Sequence, residues 1–175
     1  MKLVIWRRWK PWMTVLTLMV VNVCPVLAVD SPVERETLTG LTGVHVVVEE
    51  MNPAAEKDGL TTSTLQTDVE LKLRQAGIRV LTSGERLVAP GNPYLYLRVG
   101  TIKNEMGLYA FDTDLELRQE VRLTRNPAIT SLAATWSARG RIGSIGSRNL
   151  PSVRDSVRDQ VDEFLNAYLA ANPKR

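Results

Sequence analysis

The sequence predicts an α+β fold, a two-layer sandwich ordered β-α-β-β-β-β-α, with one mixed sheet and two helices on one of its faces. Three observations predict it. Residues 94–99 and 111–123 alternate apolar and polar side chains at period two, which sets one sheet face in a core and the other in water. Residues 151–171 carry Val153, Val157, Val161, Phe164 and Tyr168 on one helical stripe, with Leu165 and Leu169 beside it and charges elsewhere. Residues 44–81 read as strand, helix and strand, a unit whose two strands run parallel.

Taken in order, the chain begins with a leader. Lys2, Arg7, Arg8 and Lys10 precede an apolar run over 12–23, and Val26-Leu27-Ala28 follows with small residues suited to signal peptidase. The run is shorter than the roughly 18 to 20 residues a membrane-spanning helix needs. The expectation is a cleaved signal peptide over 1–28, cut between Ala28 and Val29, and a mature protein in the periplasm or secreted. Arg7-Arg8 also fits a twin-arginine signal, but nothing downstream resembles a cofactor site, so ordinary export is preferred. Cys24 is preceded by Val23 and followed by Pro25, where a lipoprotein signal wants Gly, Ala or Ser, so no lipid anchor is expected.

The leader changes the charge reading. Of 22 Lys and Arg against 19 Asp and Glu, four basic residues lie in 1–28, leaving 18 against 19 and a mature chain near −1. That balance argues against nucleic acid as a partner and against general attraction to anionic membrane. Cys24 is the one cysteine, so the mature domain has neither disulfide nor thiol chemistry.

Residues 29–42 are polar, contain Pro32 and Gly40, and predict a flexible spacer before a single domain over 43–171 and a tail over 172–175. Residues 44–49 hold Val46, Val47 and Val48 in succession, as a strand covered on both faces does, and predict a central strand. After Asn52-Pro53, caps at 61–63 precede a helix with Leu65, Val69, Leu73 and Ala76 inward, closed by Gly77. Residues 78–81 predict a short parallel strand, and 82–93 a Gly- and Pro-rich loop. A third meander strand over 132–142 would place Leu132, Ala134, Trp136 and Ala138 inward, and Pro151 opens the last helix with Asn149 as cap.

The outward row Asp112, Asp114 and Glu116 is open to two readings, a cation or acid/base site or a solvated ladder. Register separates them, because inward residues must oppose inward ones. Leu97 opposite Leu115 puts Arg98 across from Asp114, Tyr96 from Glu116 and Tyr94 from Arg118. Val121 opposite Ala134 puts Arg139 and Arg141 across from Glu116 and Asp114. Each acid then has a basic neighbour, and the ladder reading follows.

Other chemistries find little support. His45 is the one histidine, too few soft ligands for zinc, and reads as a core or interface residue. Residues 143–147 lack the Gly-x-Ser-x-Gly spacing of a serine nucleophile, and no Lys-Ser/Thr follows Gly140, Gly143 and Gly146 to make a phosphate cradle, so the segment predicts a flexible loop. Glu49 and Glu50 are adjacent on a strand and point to opposite faces, which separates them as a carboxylate pair. No catalytic residue, metal ligand or cofactor is expected.

The candidate interaction residues are Tyr94, Tyr96, Arg98 and Arg118, types enriched at interface centres, together with Leu71, which lies off the stripe of its helix. Leader, spacer, β-α-β, antiparallel strands and a C-terminal helix resemble, in element order over 43–171, small envelope-accessory domains such as the lipopolysaccharide-assembly lipoprotein and the amino-terminal domain of the Tol-system propeller protein. The resemblance implies a non-enzymatic envelope module that binds another envelope protein through its sheet face or edge. The alternative is a small-ligand carrier or hydrolase with a pocket between loops 82–93 and 143–150.

Overall fold

A computed structural model describes residues 31–173, and the expected leader and its cleavage site lie outside these. The described chain forms an α+β fold with a mixed five-stranded sheet. Its elements are α1 (Pro32–Glu36), β1 (His45–Val48), α2 (Pro53–Lys57), α3 (Thr62–Gln75), α4 (Ser83–Val88), β2 (Tyr94–Lys103), β3 (Leu108–Leu123), β4 (Asn126–Ser137), β5 (Arg141–Gly146), a 3-10 turn (Ser147–Ser152) and α5 (Val153–Ala171).

The sheet is organised around β3. Its sixteen residues pair antiparallel with β2 along one side. On the other side the C-terminal half takes β4 and the N-terminal half takes β5. Odd-numbered Tyr109, Thr113, Leu115 and Leu117 face a core that they share with Leu95, Leu97 and Val99 of β2. From the other layer come Leu65, Val69 and Leu73 of α3 and Val153, Val157, Val161 and Phe164 of α5, all buried. Trp136 meets Phe164 edge to face at 5.3 Å, a geometry that adds to the apolar burial of both rings.

The helices begin and end where their polar caps permit. Thr61 accepts the Thr64 amide and Gly77 leaves α3 at φ +81°. The loop 82–93 contains an unexpected helix, α4, opened by a capping box in which Thr82 and Glu85 bond each other's backbone amides. Those bonds hold the Glu85 carboxyl down to about 2. Asn52, read as a break, instead caps α2 with Pro53 in its first turn. Asn149 does not cap α5; a 3-10 turn carrying Pro151 leads into it.

Four strand-level expectations are corrected. Residues 78–81 form only an isolated parallel bridge, Val44 to Val80, with Val44 N–H on the Arg79 carbonyl and Leu81 N–H on that of Val44. Consequently β1 ends the strand order instead of lying centrally, and of its valines only Val46 is fully buried. The strand expected over 132–142 is two strands separated at 138–140, and 143–146, expected to be a loop, belongs to β5. Finally, Thr135 is an extra residue, since Leu117 pairs with Trp136 but Arg118 with Ala134. A single inserted residue reverses side-chain parity beyond it, so Leu132 and Ala134 face outward, opposite Glu120 and Arg118.

The segment expected as a spacer is docked where it is described. Leu38 is fully buried, and the Asn172 side chain bonds both the Gly40 amide and the Leu38 carbonyl, joining the two ends of the domain.

Two polar clusters hold the layers in register, one buried and one at the surface. Gln160, fully buried on α5, donates to the carbonyls of Thr113 at 2.9 Å and Arg139 at 3.0 Å. It thereby satisfies backbone groups at the break between β4 and β5. Gln160→Ala removes both donors from buried carbonyls and is expected to cost about 2 kcal/mol, read as a lower urea midpoint at unchanged slope.

The second cluster ties α2 to the sheet. The buried Tyr109 hydroxyl donates to Asp58 Oδ2 at 2.8 Å and lies 3.0 Å from the Ala54 carbonyl, while Lys103 Nζ is 2.7 Å from the same carboxylate. The hydrogen bond from Lys103, then that from Tyr109, holds the Asp58 carboxyl below its ordinary 3.8. A folded-state value lowered in this way stabilises the fold above the unfolded value and ceases to do so as pH falls through the folded one. Asp58→Asn is therefore expected to flatten the acid limb of the melting-temperature profile below about pH 4, with Lys103→Met as the matching control.

Candidate functional site: the open face of the sheet

Both long helices pack on the odd-numbered side of β3, so its even-numbered side chains project from the opposite face. The register of β2 on β3 is the one the inward-to-inward rule predicts: Tyr94 to Arg118, Tyr96 to Glu116, Leu97 to Leu115 and Arg98 to Asp114. Four of the five candidate residues, Tyr94, Tyr96, Arg98 and Arg118, are thereby brought together on the open face. Leu71, 51% exposed on α3, belongs to the other layer and joins none of them.

The ladder on this face is largely self-compensating. Arg98 binds both Asp112 and Asp114, and its guanidinium is held further toward the charged form, first by the hydrogen bond to Asp114. Arg118 Nε lies 2.9 Å from Glu116 on its own strand, and its guanidinium carbon sits 4.1 Å above the centre of the Tyr96 ring. Tyr96 in turn donates to Glu49 Oε2 at 2.6 Å, a bond that pushes the phenol upward. Tyr94 is 9% exposed beneath Arg86 of α4, whose guanidinium carbon is 4.7 Å from the ring centre.

Arg139 and Arg141 do not face the acids as expected. With the strand broken and the register displaced by Thr135, Glu116 opposes Ser137 and Thr113 opposes Arg141. Arg141 points to the helical side, 2.7 Å from Glu163, which also accepts the Arg139 amide at 2.8 Å. His45, half-buried, donates Nδ1–H to the Leu81 carbonyl at 2.8 Å, the tautomer the carbonyl requires. Among the described residues no group of three or more His, Cys, Asp or Glu is placed to hold a metal ion.

Beyond Arg98 the face becomes apolar, a feature the sequence reading missed. A concavity of about 420 Å³ is lined by Arg98, Gly100, Ile102, Ala110, Asp112 and Ile142. Ile102 is 76% exposed and Ile142 is 90% exposed. Gly100 and Ala110 form its shallow floor: a Cβ at Gly100 would lie 2.2 Å from Asp112 Oδ1, so the missing side chain is what lets Asp112 reach Arg98. The signal for Ile102 was present, since it shares the parity of Tyr94, Tyr96 and Arg98. That for Ile142 was hidden by the strand break.

The loops proposed to enclose a pocket lie apart. Tyr94, which follows 82–93, pairs with Arg118, whereas Gly146 pairs with Leu108, ten residues or about 33 Å along β3. The two segments therefore lie toward opposite ends of β3.

Comparison of the chain with known protein families, with curated proteins and with solved structures returned no match. Among the described residues no helix is long and apolar enough to cross a membrane.

Removing Arg98 tests the ladder. Arg98→Met leaves Asp112 and Asp114 as like-charged neighbours, and the expected loss is about 0.5 to 1 kcal/mol at pH 7, the scale of exposed pairs. The loss should shrink at high ionic strength, which screens the exposed pair. Thermal melts of both proteins at low and high salt measure it.

Proposed function

We propose that the protein is an exported, non-catalytic binding module of the cell envelope, which docks another protein or envelope component through its open sheet face and strand edges. The observation that carries this reading is the juxtaposition on one uncovered face of Tyr96, Arg98 and Arg118 with the exposed aliphatic residues Ile102 and Ile142. Aromatic and arginine side chains beside exposed aliphatics make the composition of an interface centre with its rim. Export rests on residues 1–28, whose basic start, short apolar run and Ala28 fit a cleaved signal. The envelope assignment rests on the element-order resemblance to small accessory domains.

The reading assigns the ladder a recognition role. Its charges are already paired within the chain, so a partner meets a patterned surface without having to neutralise a row of bare carboxylates. A photo-crosslinking residue placed at Tyr96 should capture a partner in intact cells, and the same residue at exposed Leu87 of α4 should not. Absence of any product at Tyr96, with the protein folded and exported, overturns the docking reading.

A further inference from the structure

We infer that the free edge of β5 is completed by an extended segment of another protein, one that carries a large apolar residue and, four positions from it, a basic one. The inference rests on the docking reading and deepens it, naming the edge that is used and the chemistry of the strand that fills it.

The backbone provides the opening. Ser147 N–H donates to the Gly107 carbonyl, and the antiparallel register carries that phase along the ladder, so the odd-numbered residues of β5 bond β3. The N–H and C=O of Ile142 and Ser144 therefore point away from β3, and they have no hydrogen-bond partner among the described residues. The other edges are closed in part. At β1, Arg79 and Leu81 pair with Val44, and the His45 ring takes the Leu81 carbonyl. At β4, Thr37 bonds the Thr135 carbonyl. The usual edge defences are missing from β5: it has no proline, its one charged residue, Arg141, is turned to Glu163 on the helical side, and Ile142 is 90% exposed.

The side chains around this edge define what fits it. An added strand stands about 4.8 Å from β5, with alternate side chains on the open face. Opposite Ser144 its neighbours are small, because Ser144 pairs with Ala110, which in turn pairs with Ile102. A large apolar side chain at that position leans across Ser144 and Ala110 into the concavity of about 420 Å³ between Ile142 and Ile102. Two side-chain steps back along the same face is Gly140, where a Cβ would stand 3.2 Å from Asp114 Oδ1. The bare glycine leaves that carboxylate open to the edge. Asp112 and Asp114 share the single guanidinium of Arg98, which leaves one negative charge in excess. The complementary group is a basic side chain beside Gly140, four residues from the apolar one.

Two labelled peptides of about eight residues in a Thr background probe the edge, one carrying Phe-x-x-x-Lys and the other Lys-x-x-x-Phe, since an added strand runs in either direction. One of them should bind the chain, purified as the cell processes it, with a Kd of ~10 to ~100 μM by fluorescence anisotropy. Only alternate amides of an added strand face β5, so N-methylation of one alternate set should abolish binding and of the other should change it by less than about threefold. Ser144→Pro removes an outward N–H and no bond to β3, and should abolish binding with an unchanged circular dichroism spectrum. Asp114→Asn should reduce a preference of about tenfold for the Lys peptide over its Glu counterpart to less than about threefold.

No binding of either peptide up to ~1 mM overturns the inference. So does binding indifferent to the methylation phase, or to Ser144→Pro in a folded chain, or a Lys preference unchanged by Asp114→Asn. A chain that self-associates until Ser144→Pro is introduced assigns the edge to a second copy and overturns the partner strand. If the peptides fail while the crosslinker at Tyr96 captures a partner, the edge inference falls and the docking reading stands; if both fail, both fall.

Discussion

Everything in this fold depends on the parity of β3. A strand of sixteen residues spans about 53 Å at the usual rise, longer than either α3 or α5, and its side chains alternate faces along the whole length. Once Leu115 and Leu117 are committed to the core with Leu95 and Leu97 opposite them, every even-numbered residue of β3 is committed to the other face. A one-residue slip would bury Asp114 and Glu116 and expose both leucines, so the hydrophobic pattern specifies the register strongly. The position of Arg98 over Asp112 and Asp114 is a consequence of that commitment and not an independent feature.

A strand this long creates a difficulty on its far side. No single partner spans it: β4 pairs with its second half, β5 with its first, and the chain crosses between them at 138–140. Backbone groups at such a crossing lose their ladder partners, and buried ones are costly to leave unpaired. The structure supplies replacements from α5, with Gln160 donating to the Thr113 and Arg139 carbonyls and Glu163 accepting the Arg139 amide. A polar residue in the middle of an otherwise apolar helix stripe is explained by this role. At the bulge the Thr135 carbonyl accepts from Thr37 at 3.2 Å, and the Thr135 hydroxyl from Gln119 at 2.8 Å. Residues near α1 therefore cover part of an edge that would otherwise be free to pair with other chains.

What could be read from the sequence was set by how local the responsible physics is. The helix stripes of Leu65, Val69 and Leu73 and of Val153 to Phe164 needed only periodicity, and the β2–β3 register needed only matching of two clean alternations. The short helices α2 and α4 had local signals as well, Asn52-Pro53 and the Thr82 to Glu85 spacing, which were outweighed by the turn-forming look of their Gly and Pro residues. By contrast, the inserted Thr135 and the break at 138–140 depend on which half of β3 is already occupied, which is a tertiary fact. Gly143 illustrates it: a Cβ there would lie 2.7 Å from Phe111 Cζ, so a glycine that looks like a loop signal is needed to seat an aromatic ring against its paired strand. The misplacement of Leu132, Ala134, Arg139 and Arg141 all follows from those two irregularities.

The same irregularities make the open face what it is. Had the strand over 132–142 continued without interruption, Leu132 and Ala134 would have turned inward and Arg139 and Arg141 would have joined the acidic row, giving a uniformly solvated ladder. The insertion at Thr135 turns Leu132 outward, and the break carries Arg141 to the helical side while leaving Ile142 at 90% exposure beside Asp112. Exposed aliphatics of this size, on a face whose ladder charges are largely paired within the chain, contribute nothing to the core that α3 and α5 already close. In the proposed docking reading they are the part a partner would cover, while the polar ladder keeps the remainder of the sheet face wet.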